Sequence, residues 1–492
     1  MDMAHRPSES IPWTRISIES DASVVSPFLS PRTSLGADID DFAKSKSPPL
    51  PRRQIILLCY ARLMEIIGLY SVFPYIAQMI QHIQQMPESD VGFYSGLVES
   101  LFSVVEMAAL PAWNKLSERI GRRPALVWSI VGMAVFTALF GTATSIAQLI
   151  LYRCLAGVFS GSGLIIRTMI QEQTTADTQA VAFSWFAIAD NIGTCVGPLI
   201  GGIFADPAKM YPSVFGGIQF FRAYPYALPG IVVGVINMTG AVTSAFFLEE
   251  TVENSARGKN GDRRRGRRGP TETQPDTTRR KGGLWQVLRE PGVPIALLVY
   301  THVMLVMDSF AALLPVALFT PVKLGGFGLT PAQISLYMTA LAASQSLWFL
   351  VAFPRLDRRF GTRNVLHACA VAFPVYFAGY ILASSLLRSD HLAGFWASGA
   401  LLTLIGPAAF MSFTAVQLVI NNVSSDPRLL GTITTLAMVL HSGTRTVSPG
   451  ATSAIYAVGV RNAILGGYLG WVVLIPLSSC LYVFLRWLPS DA

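Results

Sequence analysis

The sequence predicts an all-α membrane protein of twelve transmembrane helices in two six-helix pseudo-repeats. Three observations carry this prediction. The 492-residue chain is 13% charged and 52% hydrophobic, with a mean hydropathy of +0.47, whereas soluble domains are roughly 25% charged. Its apolar residues fall into windows long enough to span a bilayer as helices, which satisfy their own backbone hydrogen bonds. A short basic segment occurs twice, once in each half of the chain. The short alternating strands of a transmembrane barrel are absent from the pattern.

The chain opens on residues 1–53, rich in Ser, Pro and charge and without an apolar run of signal-peptide length, which reads as a disordered cytoplasmic tail. The first spanning helix then acts as its own insertion signal. Apolar windows follow at 54–77, 91–112, 124–144, 146–168, 180–204, 225–248, 293–318, 332–353, 364–384, 392–420, 430–457 and 463–487, and they define helices 1 to 12. Residues 54–248 form a first six-helix bundle and 292–487 a second. Between them, 249–291 is a Gly-rich, Arg-rich linker with affinity for anionic lipid head groups as a secondary reading. Residues 488–492 close the chain.

Lys and Arg number 29 on the side of the tail, the linker and the even-to-odd loops, against 5 on the other side. This asymmetry places both termini in the cytoplasm. The net charge of +8 is then a property of the inner loops and does not call for nucleic acid. Five dispersed cysteines without a CxxC pair, and six dispersed histidines without metal-ligand spacing, predict neither disulfides nor a metal site. No P-loop or Gly-x-Ser-x-Gly motif is present, so no enzyme and no cofactor are expected.

Lys115 to Leu126 (KLSERIGRRPAL) and Arg355 to Leu366 (RLDRRFGTRNVL) superpose at one offset, matching Leu116 with Leu356, Arg119 with Arg359, Gly121 with Gly361, Arg123 with Arg363 and Leu126 with Leu366. Both segments join the second and third helices of their halves. Pro74 and Pro315 repeat the relation at an offset one residue longer. Paired six-helix repeats are a mark of secondary transporters that rock around a midplane site.

Leu116-Ser-Glu118-Arg119-Ile-Gly121-Arg122-Arg123 resembles the loop 2–3 signature of the major facilitator superfamily, with Asn114 in place of its Gly and Glu118 in place of its Asp. The resemblance implies a cytoplasmic gate built from Glu118, Arg119, Gly121, Arg122 and Arg123 that works with helix 11. Arg359 and Arg363 would be its weaker copy. Gly193-Thr-Cys-Val-Gly197-Pro198-Leu-Ile-Gly201-Gly202 in helix 5 looks like that family's antiporter signature. Its glycines recur every four residues and form a stripe for close helix approach, and Pro198 bends it. Leu149 to Gly157, centred on Arg153, resembles a third signature with Ala156 in place of Gln, and it implies proton coupling at Arg153. With "FLEET" at the end of helix 6, these features are similar to the twelve-helix fungal drug:proton antiporter branch and to zinc-induced facilitators.

Ionisable groups inside a bilayer cost about 2.5–3.5 kcal/mol each on insertion scales, so those present need partners or water. Arg62 and Glu65 lie one helical turn apart on helix 1 and can pair. Glu99 and Glu106 share a face of helix 2, Glu106 being expected to support the gate. Glu65, Arg153, Asp190 and Asp308 are the proton-coupling candidates, with Arg62 and Arg445 as charge partners. Arg445 is expected opposite Asp190 or Asp308. Trp185, Phe186, Tyr300 and Trp348 suit an organic substrate.

The reading that follows is a secondary transporter of small molecules and protons, exporting hydrophobic organic compounds such as drugs, toxins or secondary metabolites by alternating access. The plasma membrane is favoured over the vacuolar membrane. The alternative is uptake or facilitated transport of a nutrient or of a metal ion such as zinc.

Overall fold

The computed structural model describes residues 50–85, 87–251, 288–290, 292–423 and 427–488. The expected N-terminal tail up to residue 49 and linker residues 252–287 lie outside the described residues. The described chain is helical, in twelve principal elements. They are α1 (Arg52–Ile83), α2 (Glu88–Ile120), α3 (Arg122–Phe140), α4 (Ile146–Gln173), α5 (Ala176–Ile203), α6 (Ala227–Phe247), α7 (Val293–Phe319), α8 (Pro331–Phe360), α9 (Thr362–Arg388), α10 (Leu392–Asn422), α11 (Pro427–Arg461) and α12 (Leu469–Leu485). Each matches a predicted window.

The first ten are long and apolar enough to cross a membrane on their own. The seventeen residues of α12 are equally apolar but fewer. The thirty-five of α11 carry a polar band that includes His441, Ser442, Thr444, Arg445 and Thr446, as a helix lining a wet cavity would.

Several helices are broken where the sequence removes backbone donors or crowds them. Helix α1 interrupts at Ser71–Val72, just before Pro74. In α10 a tight turn spans Gly406–Met411 around Pro407. A single π-type turn, Trp348–Ala352, sits inside α8. Ser344 Oγ and Trp348 Nε1 both donate to the carbonyl of Leu404, at 3.1 and 2.7 Å, so the backbone freed at the α10 break finds donors from the neighbouring helix.

The apolar core divides along the chain. One large buried cluster draws on residues 293–488 only. It contains an aromatic stack in which Tyr380 lies on Trp471, centroids 4.6 Å apart and planes within 2°. Four smaller clusters draw their buried members from residues 55–248. The first and second sets of helices meet mainly through α2 against α11 and α5 against α8.

These meetings are tightest at the face opposite the two basic loops. An added Cβ on Gly96 would fall 2.3 Å from Ser453 Cβ, and one on Gly202 would fall 2.3 Å from Ser335 Cβ. Gly450 N donates to Ser100 Oγ at 2.7 Å, and Thr339 Oγ1 to the carbonyl of Cys195 at 3.0 Å. Towards the basic face α11 loosens, from Ser448, Ser453 and Tyr456, all at most 2% exposed, to His441 and Arg445, whose side chains are 35% exposed. Charged groups so exposed in mid-helix indicate a water-filled cavity that opens on the basic face.

Candidate functional site

The cavity collects charges from both halves. On α1, Arg62 Nη1 donates to Glu65 Oε2 at 2.7 Å, one turn along the same helix, while its Nε donates to Asp190 Oδ1 of α5 at 2.6 Å. Gly163 makes room for this guanidinium, since a Cβ there would lie 2.5 Å from Nη1. Arg62 and Arg167 both stack on the Phe186 ring, at 5.1 and 5.2 Å. Such cation–π contact adds to the ion pair when water is excluded. Asp190 therefore pairs with Arg62, not with Arg445 as the sequence allowed.

Arg153 of α4 is 2% exposed, with Nη2 2.9 and 3.0 Å from the two oxygens of Glu99 on α2. Its guanidinium lies 4.4 Å over Phe102 and 5.9 Å from Phe140. A pair so enclosed is costly to break and fixes α2 against α4.

Nearer the second half, Arg445 Nη1 of α11 approaches Glu106 Oε2 at 3.5 Å, and Ser160 Oγ donates to Glu106 Oε1 at 3.1 Å. Glu106 thus joins α2 to α11 and to α4. Asp308 of α7 also departs from its expected partner. Thr444 Oγ1 donates to its Oδ2 at 3.1 Å, and His441 Nε2 lies 3.7 Å from its Oδ1. The imidazole meets Tyr300 edge-on, centroids 6.4 Å apart, and Gln417 Nε2 donates to the Tyr300 hydroxyl at 3.3 Å.

At the basic face the motif arginines work within the first half. Gly121, at φ +103°, turns the chain from α2 into α3 in a conformation that favours glycine. Glu250, just after α6, accepts from the backbone N–H of Arg122 and Arg123 at 2.8 and 3.1 Å. A carboxylate capping a helix N-terminus in this way makes charge-assisted bonds. The Arg122 side chain reaches Glu172 of α4 at 3.2 Å and Ser117 Oγ at 2.6 Å, and Arg123 Nη2 donates to the carbonyl of Ala245. Glu118 is exposed and accepts from Asn114 Nδ2 at 3.2 Å. Arg119 and Arg359 are exposed, the latter 5.3 Å from the Phe360 ring, and Arg363 is half-buried. The side chains of 427–431, at the loop end of α11, lie outside the described residues.

Gly193, Gly197 and Gly201 all turn to α1, where an added Cβ would meet Ile66 Cγ2 at 2.5 Å, the Ile67 carbonyl oxygen at 2.9 Å and the Ser71 carbonyl oxygen at 1.8 Å. Pro198 is buried beside them, and Gly202 turns to α8 instead. Of the four aromatics expected to serve a substrate, Phe186 carries the two arginines and Tyr300 lies beside His441, whereas Trp185 packs in the core and Trp348 bonds Leu404.

Sequence reasoning missed Glu250, Glu172 and the partnership of His441. It also counted Arg167 with the inner loop charges, although the residue lies inside α4, facing Phe186. Among the described residues no group of three His, Cys, Asp or Glu comes together. A separate groove on the opposite face, where Gln78 and Gln81 meet Phe319 to Pro331, lies away from the ion pairs.

A twelve-helix bundle with a charged cavity open at one face is a membrane transporter. The chain belongs to the major facilitator superfamily, whose family model matches residues 58–449. It is 36% identical over 441 residues to the efflux pump azaK of Aspergillus niger, covering 89% of this chain and 88% of that one. Over 201 residues it is 32% identical to the protein ZINC INDUCED FACILITATOR-LIKE 1 of Arabidopsis thaliana, 41% of each chain. Among solved structures it resembles a bacterial homologue of the human lysosomal transporter Spinster in an inward-facing, unoccupied conformation. The TM-score is 0.65 at 15% identity, over 91% of this chain and 99% of that one, and this likeness speaks to the fold alone.

Proposed function

We propose that the protein exports small, fairly hydrophobic organic compounds in exchange for protons, by alternating access, in the plasma membrane. The positive-inside rule assigns the basic face to the cytoplasm, so the cavity is in its inward-open arrangement, ready to load from inside. The efflux pump among its relatives supports this direction.

One observation carries the proton coupling. Glu65, Asp190, Glu99 and Glu106 each face an arginine, which stays charged at any physiological pH, whereas the basic partner of Asp308 is His441. Histidine gains and loses its charge between about pH 5 and 8. We therefore assign the proton path to the Asp308–His441 pair. Thr444 Oγ1 shares its one hydrogen between the His441 carbonyl at 2.8 Å and Asp308 Oδ2 at 3.1 Å. Glu65, Asp190 and Arg153 serve as the fixed frame around that pair.

The test is flux in proteoliposomes loaded with organic acids, organic cations, neutral metabolites or zinc. In Asp308→Asn, substrate movement driven by an imposed pH gradient is lost, while exchange of labelled for unlabelled substrate at equal pH persists. Gradient-driven flux at wild-type rate in this variant removes Asp308 from the proton path. Flux of the wild type that ignores the gradient refutes antiport.

A further inference from the structure

Arg167 is the cavity charge that proton coupling leaves unused. It projects from the second segment of α4 (Ser162–Gln173), one turn beyond Gly163, and is half-buried against the face of Phe186. Arg62 gives two of its N–H donors to Glu65 and Asp190. Among the described residues no carboxylate oxygen lies within 4.0 Å of Arg167, whereas Arg62, Arg122, Arg153 and Arg445 each have one. A guanidinium carries five N–H donors and does not deprotonate, and an unpaired one at membrane depth is costly. The fold keeps it over the Phe186 ring, balanced at longer range by Asp190 and Glu65 but with no side-chain hydrogen-bond partner among the described residues.

Two further features point the same way. Arg167 stands within electrostatic reach of Asp190 and Glu65 of its own half and, from the other half of the molecule, of Tyr300 on α7. Because Gln417 Nε2 donates to its oxygen, the Tyr300 hydroxyl hydrogen remains to be given elsewhere. A ligand anion between the two would take N–H donors from the first half and an O–H from the second, so it touches both bodies that must move past each other.

We infer that Arg167 is the anion-recognition residue of the transport site and that the substrate class is an organic acid, an apolar body with one carboxylate or acidic hydroxyl. The acid pairs with Arg167, side by side where its geometry allows two bonds, and Tyr300 donates to its free oxygen. This inference rests on the reading of the cavity as the transport site and is independent of the direction of proton coupling.

The test uses two probes of one shape and opposite charge, 1-naphthoate and 1-naphthylmethylammonium, with the full-length protein. Binding is measured by calorimetry in detergent, and counterflow in proteoliposomes at equal pH on both sides. The wild type is expected to prefer naphthoate. In Arg167→Gln, naphthoate binding falls about ten- to a hundred-fold, the loss of a charged hydrogen-bonded pair, while ammonium binding is not weakened, and Arg167→Lys recovers part of the loss. A wild type that prefers the ammonium probe, or binds neither probe at millimolar concentration, overturns the inference. So does an unchanged preference in Arg167→Gln. Should that variant not fold, Tyr300→Phe is read in its place. A several-fold loss specific to naphthoate is expected, and an unchanged ratio of the two probes overturns the proposal. Failure of proton coupling alone would appear differently, as a preserved naphthoate preference without proton movement.

Discussion

Glu250 and Glu118 show how differently two carboxylates at one face can act. Glu250 accepts two backbone N–H groups at the start of α3, from a position 128 residues further along the chain. Glu118 is exposed, and among the described residues its side-chain partner is Asn114. Replacing Glu250 by Gln keeps the shape but removes the charge assistance, so the thermal midpoint in detergent should fall by the equivalent of about 1–2 kcal/mol. Glu118→Ala should leave that midpoint unmoved, because its one bond among the described residues joins two positions of the same helix. If it serves the gate in the opposite, outward-open arrangement, Glu118→Ala slows flux at normal abundance. Normal flux would remove that role, and a lowered midpoint would show that Glu118 supports the inward-open form after all.

At the scale of elements, α5 is the informative helix because its glycines serve two surfaces. Gly201 lies against the backbone of Ser71 on α1, within the first half, and Gly202 against Ser335 and the Pro331 carbonyl of α8, in the second. A methyl group at Gly201 would meet backbone that cannot give way, so Gly201→Ala should lower the yield of monodisperse protein in size-exclusion chromatography. Gly202→Ala should fold, because its contact is one that alternating access must break anyway. It should push α5 from α8 and raise the rate at which an impermeant maleimide, added from the outer side, labels a Ser453→Cys probe. Equal labelling with and without the substitution would mean that the α5–α8 contact does not control access. The stripe itself was legible in the spacing of Gly193, Gly197 and Gly201, as were the twelve windows, since helix periodicity and hydropathy are local properties. The Arg62–Glu65 pair was legible for the same reason, at three residues' separation. The bonds of Arg62 to Asp190, of Arg153 to Glu99 and of Arg445 to Glu106 were not, because they join residues on different helices and depend on how those helices turn about their axes. The π-type turn of α8 was hidden too. It answers to a carbonyl on α10, and neither sequence segment announces the other.

For the whole molecule, the decisive observation is that the two halves touch closely on one face and part on the other. Ser100 and Gly450 bridge that closed face, and a Cβ on Gly450 would lie 3.5 Å from Ser100 Cβ, within the range of a disulfide. Oxidised Ser100→Cys/Gly450→Cys protein should be locked with its cavity open to the basic face. Transport should stop and return on reduction, while ligand binding from the open face persists. Transport that continues through the intact cross-link would contradict rocking about this contact.

The division of the apolar core has a consequence for how the protein is made. Every buried member of the first four clusters lies between residues 55 and 248, and every member of the largest cluster between 293 and 488. A ribosome that has finished α6 has therefore already delivered everything the first half needs to bury its own side chains, before α7 is synthesised. The long polar stretch that follows sets a pause in apolar sequence between two folding events, and only the glycine-lined seams of α2 with α11 and α5 with α8 must wait for the last helices to arrive.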